Sequence, residues 1–168
     1  MREPRVLGAE HAGEVLTLQR AAYVTEAQAH RDVDLPPLWQ SLPELTAELS
    51  DPEVLAAGWR DEDGRLVAAV RVRVRRSAPT VADIGRLTVV PDRQGQRLGS
   101  SLLTAVERQL PASVTELRLF TGERSEGNLR LYELLGYRET HREATPAGYA
   151  LVHFTKYRDR QQLNSSSD

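Results

Sequence analysis

Two short segments of this chain bring together residue types that can do chemistry. The first is Gln94-Gly95-Gln96-Arg97-Leu98-Gly99-Ser100, which follows the run Val89-Val90-Pro91 and opens directly into an amphipathic stretch. A glycine-punctuated loop between a strand and a helix aims unpaired backbone N–H groups, and the positive end of a helix dipole, at one point. That arrangement is a phosphate cradle, and no metal is needed to complete it. A nucleotide P-loop is excluded because no Lys follows either glycine; Lys156 is the only lysine of the chain. A dinucleotide fingerprint is excluded by the glycine spacing and by the strand-like segments that precede the loop. The second segment is Asn128-Leu129-Arg130-Leu131-Tyr132-Glu133-Leu134-Leu135-Gly136-Tyr137. Asn128 and Tyr132 are four residues apart and share one helical face, where Tyr132 also reads simply as a core residue beside Leu131 and Leu135.

Together the two segments resemble the acyl-CoA-dependent N-acetyltransferases of the GNAT superfamily. Gln94 and Gly99 match that family's loop pattern, while Arg97 stands where the family usually carries Gly. Asn128, Tyr132, Gly136 and Tyr137 match its second motif. The resemblance is strong from about Val81 to Tyr137 and implies acetyl-CoA as cosubstrate, with Gln94, Gly95, Gln96, Arg97, Leu98, Gly99 and Ser100 around its pyrophosphate. Gln94 either holds the loop or contacts a phosphate. Arg97 either reaches a phosphate with its guanidinium or points into solvent.

The resemblance further implies that Leu87, Thr88 and Val89 pair with the pantetheine arm as an added strand. The N–H of Val89 would then be the donor for the thioester carbonyl. Asn128 would position the same arm. Expulsion of a thiolate calls for an acid: a thiol has a reference pKa of about 8.5, and a phenol, at about 10, stays protonated at neutral pH. Tyr132 is the residue that the resemblance assigns to this step. For the base that deprotonates the amine, Asp83 is the first candidate, with Glu26, His30, Glu123 or a chain of waters as alternatives.

Composition agrees with an enzyme of this kind. At 168 residues with 40% apolar content, the chain is long enough for one domain with a real core. No Cys is present, so neither disulfides nor a thiol nucleophile enter, and a reducing, cytoplasmic compartment is expected. Met1-Arg2-Glu3-Pro4-Arg5 lacks the apolar stretch of a signal peptide, and no run reaches the length of a membrane span. A net charge of −2 argues against nucleic acid as a partner.

The elements expected to position these residues follow from periodicity. A short strand at Arg5–Leu7 precedes a helix carrying Val15, Leu16, Leu18, Ala22 and Tyr23. A break at 32–37, a helix from about Leu42 to Leu49, and strands at Val54–Trp59 and Leu66–Arg76 come next, joined by an Asp61–Gly64 turn. Arg71, Arg73 and Arg75 alternate with valines and read as the solvated face of that strand, or as an anionic-substrate patch. The strand Val81–Val90 delivers the chain to the loop, and Leu98, Leu102, Leu103, Val106 and Leu110 give the next helix one apolar face.

Beyond it lie a strand at Leu117–Thr121, a helix at Gly127–Leu135, and strands near Tyr137–Arg142 and Ala150–Tyr157. The expected fold class is α+β: a three-layer α/β/α arrangement with a mixed, mostly antiparallel central sheet of about 6–7 strands flanked by about 4 helices, as in GNAT proteins. One domain is expected over residues 1–160, with a polar, disordered tail at 161–168.

The function that this reading favours is transfer of an acetyl group to an amine in a ternary complex. A non-catalytic acyl-CoA-binding or regulatory module, or an interaction domain without CoA, are the alternatives. The acceptor region, Glu26 to Trp39, carries acidic residues that lean toward a cationic acceptor. A small-molecule amine is expected in preference to a protein, and a monomer or homodimer is the family-level expectation.

Overall fold

The computed structural model describes residues 3–159. Its frame is a seven-stranded sheet in the order β1-β2-β3-β4-β5-β7-β6. The strands are β1 (Arg5–Val6), β2 (Val54–Arg60), β3 (Leu66–Val74), β4 (Val81–Val89), β5 (Glu116–Gly122), β6 (Arg138–Ala144) and β7 (Ala150–Tyr157). Every pair is antiparallel except β4–β5. The helices are α1 (Ala12–His30), α2 (Pro36–Trp39), α3 (Leu42–Ser50), α4 (Leu98–Gln109) and α5 (Glu126–Leu134). This is the three-layer, mostly antiparallel arrangement expected from the sequence. The short helix α2 was not among the expected elements, because two prolines at its start read as a break; proline at a first helical turn instead presets the helical φ.

Local chemistry explains where the elements stop and start. Ser41 caps α3 by accepting from the Glu44 N–H at 3.3 Å, while the Glu44 carboxylate accepts from the Ser41 N–H at 2.7 Å, a reciprocal capping box. The β2–β3 hairpin turns through Gly64 at φ 84°, and the Asp61 carboxylate accepts from the Arg65 N–H at 2.9 Å. Edge strand β6 is exposed along its whole length and carries Arg138, Glu139, Arg142 and Glu143, charges that discourage pairing with another chain.

β3 buries both of its faces, and this overturns one expectation. Ala68, Val70 and Val72 join Leu102, Leu103 and Val106 of α4, and Tyr132 of α5, in one core. Val67 and Ala69 face the other way, into a core with Val15, Leu16 and Leu18 of α1 and Leu45 and Leu49 of α3. Arg71 shares that second face, so it is buried rather than solvated. Its Nη2 donates to Gln19 Oε1 at 2.8 Å, and its Nε lies 3.0 Å from Glu48 Oε1. Burial pulls the guanidinium below its usual value, and Glu48 opposes that shift. Strand alternation identifies the face but does not reveal that helices cover it. Arg73 and Arg75 pair with Asp51 and Asp83 near the strand's end.

Candidate active site

A cleft opens where β4 and β5 part. Parallel pairing joins Val81, Ala82 and Asp83 to Glu116, Leu117 and Arg118, and goes no further. The cause lies on the other side of β4. In the β3–β4 ladder, Ala69 faces Thr88 and Arg71 faces Gly85, so Arg86 and Leu87 together stand opposite Val70 alone. This β-bulge bends the strand and strengthens its twist. Arg86 takes φ 54°, a left-handed conformation that costs a non-glycine residue about 1–2 kcal/mol. The resulting cleft, about 1650 Å³, is lined by Ile84 to Val89 on one side and by Phe120 to Gly122 with α5 on the other.

Along β4 the direction of each peptide follows from one hydrogen bond. The Val90 N–H donates to Val67 O at 2.9 Å, toward β3. Successive residues of a strand turn their peptide groups to opposite edges. The N–H and C=O of Val89 therefore point into the cleft. Gln94 confirms this direction: its Nε2 donates to Val89 O at 3.3 Å, so this side chain ties the loop to the end of β4. The Val89 N–H is left facing the open edge.

Next comes the loop. A 3-10 turn at Pro91–Arg93 leads to Gly95 at φ 77° and Arg97 at φ 61°, and α4 begins at Leu98. The Arg97 carbonyl accepts from the Ser101 N–H at 3.0 Å and from the Ser100 hydroxyl at 3.1 Å. Among the described residues, no acceptor meets the backbone N–H groups from Gly95 to Ser100. That row of donors at the start of a three-turn helix is an anion cradle. Gly95, Arg97, Leu98, Gly99 and Ser100 line the cleft with Gln94, whereas Gln96 does not; its Oε1 lies 3.5 Å from Arg93 Nη1.

Arg97 thus adopts the positive φ that suits glycine, as the N-cap of α4. Replacing it by glycine removes about 1–2 kcal/mol of strain and restores about 0.5–1 kcal/mol of unfolded-chain entropy. Arg97→Gly should therefore raise stability by about 0.5–1 kcal/mol, read as a higher denaturant midpoint at unchanged slope.

Across the cleft, α5 places Asn128 and Tyr132. Asn128 Nδ2 donates to Thr121 Oγ1 at 3.3 Å, bridging α5 to β5. The Tyr132 ring packs 5.9 Å from both the Tyr137 and Phe154 rings, which holds it rigidly. Its hydroxyl has no hydrogen-bond partner among the described residues. Burial pushes that hydroxyl well above the ordinary phenol value, with Tyr23 and Glu26 adding to the shift, so it stays protonated. Tyr137, by contrast, is structural: it is buried, and its OH donates to Glu107 Oε1 at 2.6 Å.

A family model described as the acetyltransferase (GNAT) family matches residues 15–137. The chain belongs to the GNAT acetyltransferase family. Solved structures agree in fold. The ribosomal-protein-S18-alanine N-acetyltransferase of Escherichia coli superposes with a TM-score of 0.74 at 19% identity, covering 94% of each chain. A GNAT-family acetyltransferase from Streptococcus pneumoniae gives 0.71 at 14% identity, covering 92% of this chain and 98% of that one. The aminoglycoside acetyltransferase AAC(6')-Ib, solved with ribostamycin and coenzyme A, gives 0.72 at 15% identity, covering 99% and 98%. No curated protein sequence matches significantly.

In this GNAT protein the candidate bases separate clearly. Asp83 does not line the cleft: it lies where β4 and β5 are still paired, and its carboxylate is bound by Arg75. Glu123 is likewise outside, accepting from the Ala150 N–H at 2.9 Å. His30 lines the cleft with both ring nitrogens engaged. Nε2 accepts from the Arg124 N–H at 3.1 Å, which leaves Nδ1 to donate to Glu26 O at 3.0 Å. It has no lone pair to spare. Glu26 remains: it lines the cleft, accepts from the Ser125 hydroxyl, and lies close enough to Tyr132 and Tyr23 to affect both phenols.

Trp39, expected near an acceptor pocket, is 69% exposed and lies outside the cleft, donating to Val33 O. Tyr23 and Arg86 are among the lining residues to which the sequence reading gave no functional role. Tyr23 read only as an apolar helical position, and Arg86 lies at a bulge that no local pattern announces.

Proposed function

We propose that this protein transfers an acetyl group from acetyl-CoA to an amine acceptor by direct attack in a ternary complex. What supports the reading is the convergence at one mouth of the cleft of an anion cradle, an open strand edge and a protonated phenol. The donors from Gly95 to Ser100 suit a pyrophosphate, and the open edge of β4 at Leu87 to Val89 suits an extended, amide-bearing arm. Bound there, acetyl-CoA supplies a thioester whose carbonyl carbon is open to attack.

The residues of the chain then divide the work. The Val89 N–H donates to the carbonyl oxygen as charge grows on it. Glu26, directly or through a water, takes the proton that the amine nitrogen loses as its new bond to carbon forms. Tyr132 gives its proton to sulfur as the carbon–sulfur bond breaks, and is reprotonated from solvent before the next turnover. No acyl-enzyme on a cysteine arises, since the chain has none. Among the solved relatives, acceptors named include a ribosomal protein alanine, spermidine and an aminoglycoside, so an amine acceptor is the common denominator.

Acetyl-CoA at 100 times its Kd should stabilise the protein by about 2.7 kcal/mol against thermal unfolding, free CoA should act similarly, and ATP should not. No stabilisation at millimolar acetyl-CoA would remove the cofactor assignment and the transferase reading with it. Stabilisation without turnover of any amine would leave a binding module.

A further inference from the structure

We propose that Arg86 binds a carboxylate of the acceptor, so that the acceptor is an amine bearing an acidic group close to its nitrogen, of the α-amino-acid type. The inference rests on the transferase reading of the cleft and names the class of substrate. Arg86 occupies the bulge of β4 and lines the cleft, held at φ 54°. A strained backbone that is kept where strands part, on a residue facing the site, is the pattern found where function constrains geometry.

Its guanidinium lies 6.0 Å from the centroid of the Tyr23 ring, and among the described residues no carboxylate pairs with it. Arg60, Arg65, Arg71, Arg73 and Arg75 each have such a partner. Other arginines of the cleft are accounted for differently. Arg97 is the N-cap of α4 within the cradle, Arg130 stands on α5, and Arg124 donates to His30 O at 3.2 Å.

Opposite charge stands next to it. Glu26 follows Tyr23 by one helical turn on α1, and the two charged groups act on the same phenol in opposite senses: Arg86 lowers it, Glu26 raises it, and burial outweighs both. The cleft therefore presents a cation and an anion that both act on a single ring. A zwitterion satisfies both at once, carboxylate to Arg86 and ammonium to Glu26, with its nitrogen delivered to the group that takes its proton. The planar fork of a guanidinium is the side chain best matched to a carboxylate. A polycation would leave Arg86 unpaired and repelled in the same space. Asp32, another acidic group that lines the cleft, already accepts from the Tyr149 OH at 2.7 Å and the Asp34 N–H at 2.9 Å.

The test compares free amino acids of several side-chain types with their carboxamides, and with spermidine, in acetyl transfer from acetyl-CoA followed by thiol release. Free amino acids should exceed their carboxamides by about 10- to 100-fold in kcat/KM, the range expected for one charge-assisted pair. Arg86→Gln should collapse that ratio to near one, and Arg86→Lys should recover part of it. Transfer to spermidine or to carboxamides, with none to free amino acids, overturns the assignment. So does a ratio that Arg86→Gln leaves intact. Calorimetry with acetyl-CoA alone separates the two levels: no binding overturns the transferase reading itself, whereas binding with the wrong acceptor preference overturns only the role of Arg86.

Discussion

Replacing Tyr132 by phenylalanine should lower kcat for acetyl transfer by about 10²- to 10⁴-fold, the usual contribution of a positioned proton donor, while acetyl-CoA affinity stays within a fewfold of the parent. The ring is fixed by Tyr137 and Phe154, and phenylalanine keeps those contacts. Its hydroxyl bonds to nothing among the described residues, so its loss leaves no buried group unpaired, and the fold should survive. The pH dependence carries a second readout. Because burial raises this phenol above its ordinary value of about 10, the proton-bearing form persists through the working range. The parent enzyme should show no falling limb in its rate from Tyr132 between pH 7 and about 10. An unchanged kcat in the phenylalanine variant would take the acid role away from this residue.

Substituting Gly122 by alanine should destabilise the protein by about 2–4 kcal/mol, seen as a fall in Tm of about 5–15 °C for a chain of this size. A Cβ at Gly122 would lie 2.1 Å from His30 Nε2 and 2.4 Å from its Cε1, far inside contact distance. The ring cannot swing aside cheaply. It is 3% exposed, its two nitrogens are committed to Arg124 and Glu26, and the Tyr149 ring lies 4.5 Å away. Displacing it breaks the tie between the end of α1 and the turn after β5, and with it the setting of Glu26. Removing the ring in the same molecule, as His30→Ala with Gly122→Ala, should cost less than the sum of the two single changes, since they share one steric conflict. Strict additivity would refute the clash.

Much of the frame was legible because the helices and strands that carry the cofactor side are locally self-consistent. The span 66–157 reads almost residue for residue: the alternating β3, the apolar stripe of α4 and the strand Ala150–Tyr157 all fall where periodicity puts them. The loop residues other than Gln96, and Tyr132, line the cleft, and they drew attention in the sequence because they stand in motifs of fixed spacing along the chain. Four features were not visible, for related reasons. Arg71 is buried by helices distant in sequence; Asp83 is neutralised by Arg75 and stands where the strands are still joined. Arg86 and Tyr23 meet only because β4 bulges under α1. The polar tail from 161 lies outside the described residues.

The three-rung contact between β4 and β5 has a mechanical consequence. Strands β2 to β4 and strands β5, β7 and β6 each hold together by long antiparallel ladders, yet the ladder that joins one block to the other runs only between Val81–Asp83 and Glu116–Arg118. The seam between the blocks is also the ligand cleft. An extended molecule seated there spans both blocks and takes the place of the rungs the bulge has removed. Part of its binding free energy is then spent on making two half-sheets cooperate as one, so the empty protein should open first along this line and the loaded one should not.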